Sequence, residues 1–247
     1  MSMKANDHSG SGSFKSDPIE PGAYPARIVV IANIGLQKQN PYQGKDKPPK
    51  HEFYITYELL DEFLKDEDGE DDLEKPRWVS ERFTINPLSV ENAKSTERYL
   101  ALDPKNQYDG DWSELLETPC VVNIVQNPSK KDKTKIYNNV RGVQTMRDKD
   151  ARSAPKLVND PVIFDFYNPD VKVFLALPEF LQKLIKESLD FEGSKLEELL
   201  EDVSEADEKK DEKKTSKPKE KTKPKPKPDE DDEDEDVTED DGDDWDE

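Results

Sequence analysis

From Gly22 to Leu36 the chain reads GAYPARIVVIANIGL, rich in β-branched residues at both parities. Ile28, Val30, Ala32 and Ile34 share one face of an extended chain, and Arg27, Val29, Ile31 and Asn33 the other. The pattern predicts a long strand covered on both sides. Residues 51–60, HEFYITYELL, alternate strictly: Phe53, Ile55, Tyr57 and Leu59 point one way, Glu52, Tyr54, Thr56 and Glu58 the other, as in a half-buried strand. RWVSERFTI (77–85) predicts a third strand, with Val79, Phe83 and Ile85 opposite Trp78, Ser80, Arg82 and Thr84. Glu81 falls on the apolar side, which predicts a bulge or a shifted register. PCVVNIVQN (119–127) and IYNNVRGVQTMR (136–147) predict two more strands, with Cys120, Val122 and Ile124 on one face of the first and Gly142 at a bend in the second.

Helical spacing is weaker. SVENAKSTERYLALD (89–103) offers Ala93, Tyr99, Leu100 and Leu102 to a core, and WSELLE (112–117) reads as one turn. Past residue 148 short extended pieces give way to a helix from Pro178, with Phe180, Leu181, Leu184, Ile185 and Leu189 in phase. A shorter helix, SKLEELLEDV, follows with Ser194 as N-cap. Five strands with a helix between the third and fourth is the order of a small Greek-key barrel, the OB-fold, which binds oligonucleotides across strands 2 and 3 between the 1–2 and 4–5 loops. The expected architecture is therefore mainly β. A polar N-terminal arm (1–20) is expected to be disordered, followed by an OB-fold barrel (21–148), a helical extension (149–203), a Lys/Pro-rich linker (204–228) and a disordered acidic tail (229–247).

Charge sharpens this picture. The chain has 247 residues and a net charge of -21, but the sign varies along it. The 1–2 loop, QKQNPYQGKDKPPK, carries Lys38, Lys45, Lys47 and Lys50 with Tyr42, against Asp46. The 4–5 loop carries Lys130, Lys131, Lys133 and Lys135, against Asp132. The 2–3 connection has acids at 66, 67, 68, 70, 71, 72 and 74. Cations are thus expected at the groove and anions away from it. Tyr54, Trp78 and Arg82 face outward on strands 2 and 3, where aromatics stack on bases and cations track phosphates. A second reading stands beside this one: Tyr54 and Trp78 pack under the C-terminal helices, and the lysine loops are merely solvated.

Other chemistries find little support. The acidic connection fails as an EF-hand, since Gly69 at position 6 puts Leu64 at position 1 and Lys75 at position 12. No phosphate-binding glycine loop, nucleophile elbow or HExxH is present, so no enzyme and no cofactor is expected. Cys120 sits in an apolar strand, and His51 has no second His near it. One Cys and two His make a structural zinc site improbable, and a single Cys suits a reducing compartment. No apolar run approaches a membrane span, and the N-terminus lacks a secretory h-region.

PGAYPARIVVI, PYQGKDKPP, ITYELLDEF, KPRWVSERF, AKSTERYLALDP and TPCVVNIVQNPSKKD together resemble tailed-bacteriophage single-stranded DNA-binding proteins of OB-fold type, over residues 20–200. The resemblance implies coating of single strands in phage replication, recombination or repair, in the cytoplasm of the infected bacterial host. It places Tyr42, Lys45, Lys47, Trp78, Arg82, Lys130 and Lys131 near DNA. The tail fits: an anionic segment competes with DNA for a basic groove and, once displaced, offers Asp240, Asp241, Asp243, Asp244, Trp245 and Asp246 to replication or recombination partners. Two other classes remain open: a chromatin or histone-chaperone-like protein using the same tail, and a DNA-mimic inhibitor.

Overall fold

The computed structural model describes residues 17–129, 132, 133 and 135–212, with side chains as far as residue 203. Six strands form one sheet: β1 (Gly22–Gln37), β2 (Lys50–Lys65), β3 (Asp71–Thr84), β4 (Pro119–Pro128), β5 (Ile136–Thr145) and β6 (Val162–Asp165). Five run in the order β3-β2-β1-β4-β5, antiparallel throughout, and β6 lies parallel to β1 at Val30–Asn33. β3 and β5 share no ladder, so the sheet is open. The helices are α1 (Lys94–Leu102), between β3 and β4, then α2 (Asp148–Ser153), α3 (Val171–Ala176), α4 (Glu179–Lys186) and α5 (Lys195–Glu212), with a 3-10 turn at Trp112–Leu115.

β1 is the hinge of the design. Its N-terminal half pairs with β4 and most of its length with β2. One extra residue at Val29, where the register passes from Ile28↔Tyr57 to Val30↔Thr56, turns the alternation over. Ala26, Ile28 and Ile31 therefore face the inner cluster. Val29, Val30, Ala32 and Ile34 face an outer one. The expected grouping of Ile28 with Val30, Ala32 and Ile34 is corrected by this bulge. A second bulge between Asn33 and Leu36 holds Gly35 at φ +78.

The inner cluster draws on all five principal strands, including Ile55, Tyr57, Leu59, Val79, Phe83, Cys120, Val122, Ile124 and Val143. Tyr99 and Leu102 of α1 and Trp112 cover it. Leu100, expected in the core, is 42% exposed. Glu81 lies on the inner face without any bulge: Tyr57↔Val79, Ile55↔Glu81 and Phe53↔Phe83 run in unbroken register. Its carboxylate is buried and bonded to Arg98 Nε (3.0 and 3.2 Å) and the Tyr57 hydroxyl (2.8 Å), with Lys94 Nζ at 3.4 Å. The bend expected at Gly142 is real: β5 skips Arg141 between Gly142↔Asn123 and Val140↔Ile124, and the Arg141 carbonyl accepts from Arg98.

The outer cluster packs the C-terminal segment onto β1. Phe164, Phe166, Phe174, Leu177, Leu181, Ile185 and Leu196 bury Val29, Val30, Ala32 and Ile34. Leu181 and Ile185 are the buried positions of α4, as their spacing predicts; Leu189 lies past the helix and is 55% exposed. Ser194 Oγ accepts from Glu197 N at 3.2 Å, the expected cap of α5. That helix runs to Glu212 rather than stopping near 204, because EADEKKDE is rich in strong helix formers and proline-free. Order also begins before residue 21: Ile19 is buried and its backbone bonds Asn138 and Gln126.

Candidate nucleic-acid interface

The 1–2 loop forms a small basic finger. Tyr42 and Lys45 exchange backbone bonds of 2.9 Å across Gln43 and Gly44, both at positive φ, the geometry of a type I′ turn. Lys47 Nζ stands 5.0 Å from the Tyr42 ring centroid. Tyr42 is 45% exposed, and Lys38, Lys45, Lys47 and Lys50 are exposed too. The finger leaves β1 at Gln37 and returns at the start of β2, where the His51 carbonyl accepts from Ile85 N just past β3. It therefore stands at one end of the β2–β3 ribbon.

The other end meets β5. Trp78, Arg77 and Pro76 line a cleft with Ile136, Tyr137 and Asn138, at the root of the 4–5 loop. Lys133 and Lys135 are exposed there, and Ser129 N donates to the Lys135 carbonyl at 2.8 Å. Lys130 and Lys131 lie outside the described residues. Between the two ends runs the outer row of β3: Trp78, Ser80, Arg82 and Thr84, about 20 Å at the ordinary rise of a strand.

Within this row Trp78 is exposed, whereas Ser80 and Thr84 are half-buried and the Arg82 side chain is only 15% exposed. Trp78 is 43% exposed, so it does not pack under the C-terminal helices. Tyr54, on β2, does: it is half-buried with Phe180 of α4 edge-on at 5.7 Å, which removes it as a stacking platform. Arg82 is ion-paired to Glu52, whose other oxygen accepts from Gln39 at 2.6 Å, so a phosphate would have to compete with a carboxylate already in place. Thr56 and Ser80 hydroxyls lie 3.0 Å apart.

The placement of the anions differs from expectation. β2 and β3 continue as a ladder through Leu64↔Asp72 and Lys65↔Asp71 to a tight turn, in which Asp66 Oδ1 accepts from Asp68 N and Glu70 N at 3.0 Å each. The acidic connection is thus the tip of a long hairpin, its two strands joined by a Lys65–Asp71 pair of 2.8 Å, with a second pair, Lys75–Asp72, within β3. Its root, at Leu64 and Pro76, borders the same cleft as Trp78 and Ile136. Acids therefore leave the sheet from the same end as the 4–5 loop, not away from it. The basic finger alone stands clear of them.

Sequence reasoning also missed Glu58 as a site residue. It is 1% exposed on the outer face of β2 and accepts from Trp78 Nε1 at 3.2 Å. Its alternation gave the face, but nothing local showed that residues a hundred positions later would cover it. Likewise Tyr167, 51% exposed, bonds His51 Nδ1 (2.9 Å) and Asp190 (2.7 Å) beside the root of the finger; burial and then Asp190 raise its hydroxyl well above the usual tyrosine range. Cys120 is fully buried, and burial pushes its thiol up, the behaviour of a core residue rather than a nucleophile. Among the described residues no group of three or more His, Cys, Asp or Glu side chains is placed to hold a metal ion, and no helix is long and apolar enough to cross a membrane. The tail residues Asp240, Asp241, Asp243, Asp244, Trp245 and Asp246 lie outside the described residues. No protein-family model matches the chain, and no curated protein matches it.

Proposed function

We propose that this protein is a sequence-tolerant binder of single-stranded DNA that does no chemistry on its ligand and acts in phage replication, recombination or repair. Its sheet is read as an OB-fold barrel left unzipped between β3 and β5. One observation carries the reading: the outer row of β3, headed by the exposed Trp78, runs from the basic finger at Lys38–Lys50 to the root of the 4–5 loop at Lys133 and Lys135. Cations at both ends of an aromatic-bearing strip suit a chain with a phosphate at every step and a π-face on every base. The strip differs from the expected one in two ways. Tyr54 is withdrawn from it, and Arg82 contributes only where a phosphate displaces Glu52. In this reading the acidic tail competes with DNA for the finger and, when displaced, recruits partner proteins.

The test follows the fluorescence of Trp78 in a Trp245→Phe chain, where the other Trp, Trp112, is buried and shielded from a stacking base. Oligo-dT is expected to quench it, with affinity falling on a log–log salt plot by about 0.7 per phosphate neutralised. Trp78→Ala, which lacks the reporter ring and is followed with fluorescently labelled oligo-dT, is expected to lose about 1–3 kcal/mol of binding. Duplex of equal length is expected to bind more weakly. A flat salt response, or no binding at low salt, overturns the proposal.

A further inference from the structure

We infer that the C-terminal segment is part of the binding platform, because Asn159 positions Trp78 through Glu58; the inference rests on the single-strand reading above. Glu58 is almost wholly buried, yet the described residues bonded to it supply no cation. Four N–H groups satisfy it instead. Oε1 accepts from Val158 N at 2.7 Å. Oε2 accepts from Asn159 Nδ2 at 2.7 Å, Asn159 N at 3.3 Å and Trp78 Nε1 at 3.2 Å. A carboxylate buried without donors is costly enough that it would turn to water. The segment around 158–159 is therefore what keeps the Glu58 carboxylate at the indole N–H of Trp78.

That arrangement fixes the ring. An indole has one hydrogen-bond donor, and here it is tied to an acceptor that is itself held from two sides. The rest of the ring stays 43% exposed. A ring already held in one orientation loses less freedom when a base stacks on it, so the anchor acts on affinity without touching the ligand. Arg27 fixes the path of the same segment on its N-terminal side, donating to the carbonyls of Pro155 (2.7 Å) and Ala154 (3.3 Å). Asn159 and Glu58 are positioning residues, acting through Trp78 alone.

The experiment uses the full chain with Trp245→Phe, oligo-dT as probe, and three readouts: Kd at fixed salt, the salt slope, and Trp78 anisotropy without DNA. Asn159→Ala is expected to weaken binding about three- to tenfold, the cost of ordering one side chain, with an unchanged salt slope and a lower anisotropy. Adding it to Trp78→Ala is expected to bring no further loss, since the two act in series. Glu58→Gln, which keeps the volume of the side chain, is expected to behave as Asn159→Ala does and serves if that variant folds poorly. If Trp78→Ala leaves binding unchanged, the single-strand reading of this strip has failed. If Trp78→Ala weakens binding while Asn159→Ala and Glu58→Gln do not, or if their losses add to it in full, the positioning inference is overturned and the reading survives.

Discussion

Two of the buried carboxylates, Glu81 on the inner face of the sheet and Glu58 on the outer, are satisfied in opposite ways. Glu81, on the inner face, is met by two cations and a phenol: Arg98, Lys94 and Tyr57. Glu58, on the outer face, is met only by N–H groups, one from an exposed Trp and three from a segment distant in sequence. The inner acid ties α1 to β3 and reaches a carbonyl of β5 through Arg98. It joins elements that share a core already. The outer acid ties the 158–159 segment to the β2–β3 ladder, where Glu58 and Trp78 are register partners, and one of its donors faces solvent. A buried charge inside a core serves the fold, whereas one bonded to the edge of an exposed ring serves what that ring can touch.

The comparison breaks most sharply at Arg98. Arg98→Met leaves Glu81 buried without its main partner, and a loss of about 3–5 kcal/mol in urea unfolding is expected. Replacing both members, with Glu81→Leu added, is expected to recover most of that loss, which would show that the pair contributes arrangement more than stability. Binding to oligo-dT by the folded fraction is expected to stay unchanged.

The outer side is tested at Gly35. A Cβ there would clash with Ser188 Oγ and meet Phe166 at 3.1 Å, on a backbone at φ +78. Gly35→Ala is expected to cost about 1–2 kcal/mol in backbone conformation alone and to loosen the C-terminal segment where it crosses β1. Limited proteolysis near Ser188 should then accelerate while the inner cluster keeps its protection. On the inference above, binding to oligo-dT should fall together with that loosening.

The smallest and slowest effect is alkaline. Burial, reinforced by Glu81, holds the Tyr57 hydroxyl and the Cys120 thiol well above their ordinary values, and burial raises Tyr99 as well. These groups keep their protons in the folded chain after the unfolded chain has begun to lose them, from about pH 8.5 for Cys and about 10 for Tyr. The folded state then binds more protons than the unfolded one, so stability is complete below that range and falls as pH rises through it. Urea midpoints at pH 8 and pH 10.5 should show the drop, and Tyr57→Phe should make it shallower.

Much of this molecule was legible from alternation. Strict period two placed Ile55, Tyr57 and Leu59 inward and Glu52, Tyr54, Thr56 and Glu58 outward, and the sheet register agrees. β1 was harder, because a strand apolar at both parities gives no signal for where a bulge inverts them. Glu81 looked like an error of register because an isolated acid among apolar neighbours has no visible partner; Arg98 arrives from α1, seventeen residues on. α3 escaped notice because six residues hold less than two turns of periodicity, although Asp170 caps it through Lys172 N and Val173 N. Of the candidate interface, the finger residues and Trp78 lie where their loop and strand positions put them. Tyr54 faces outward as well but is half-covered by Phe180, since exposure on an isolated strand is no guide to what a later segment covers.

The sequence by itself determined which residues alternate, where the lysines and acids cluster, and that helices follow the strands, because each depends on neighbours within a few positions. Only the tertiary structure decided which outward residues stay outward. The C-terminal segment folds back across β1, half-covers Tyr54 with Phe180, and closes over Glu58 while leaving Trp78 in the open. The reason is physical: burial and hydrogen bonding at a site depend on every segment that reaches it, and the segments meeting at Glu58 and Trp78 lie up to 101 residues apart.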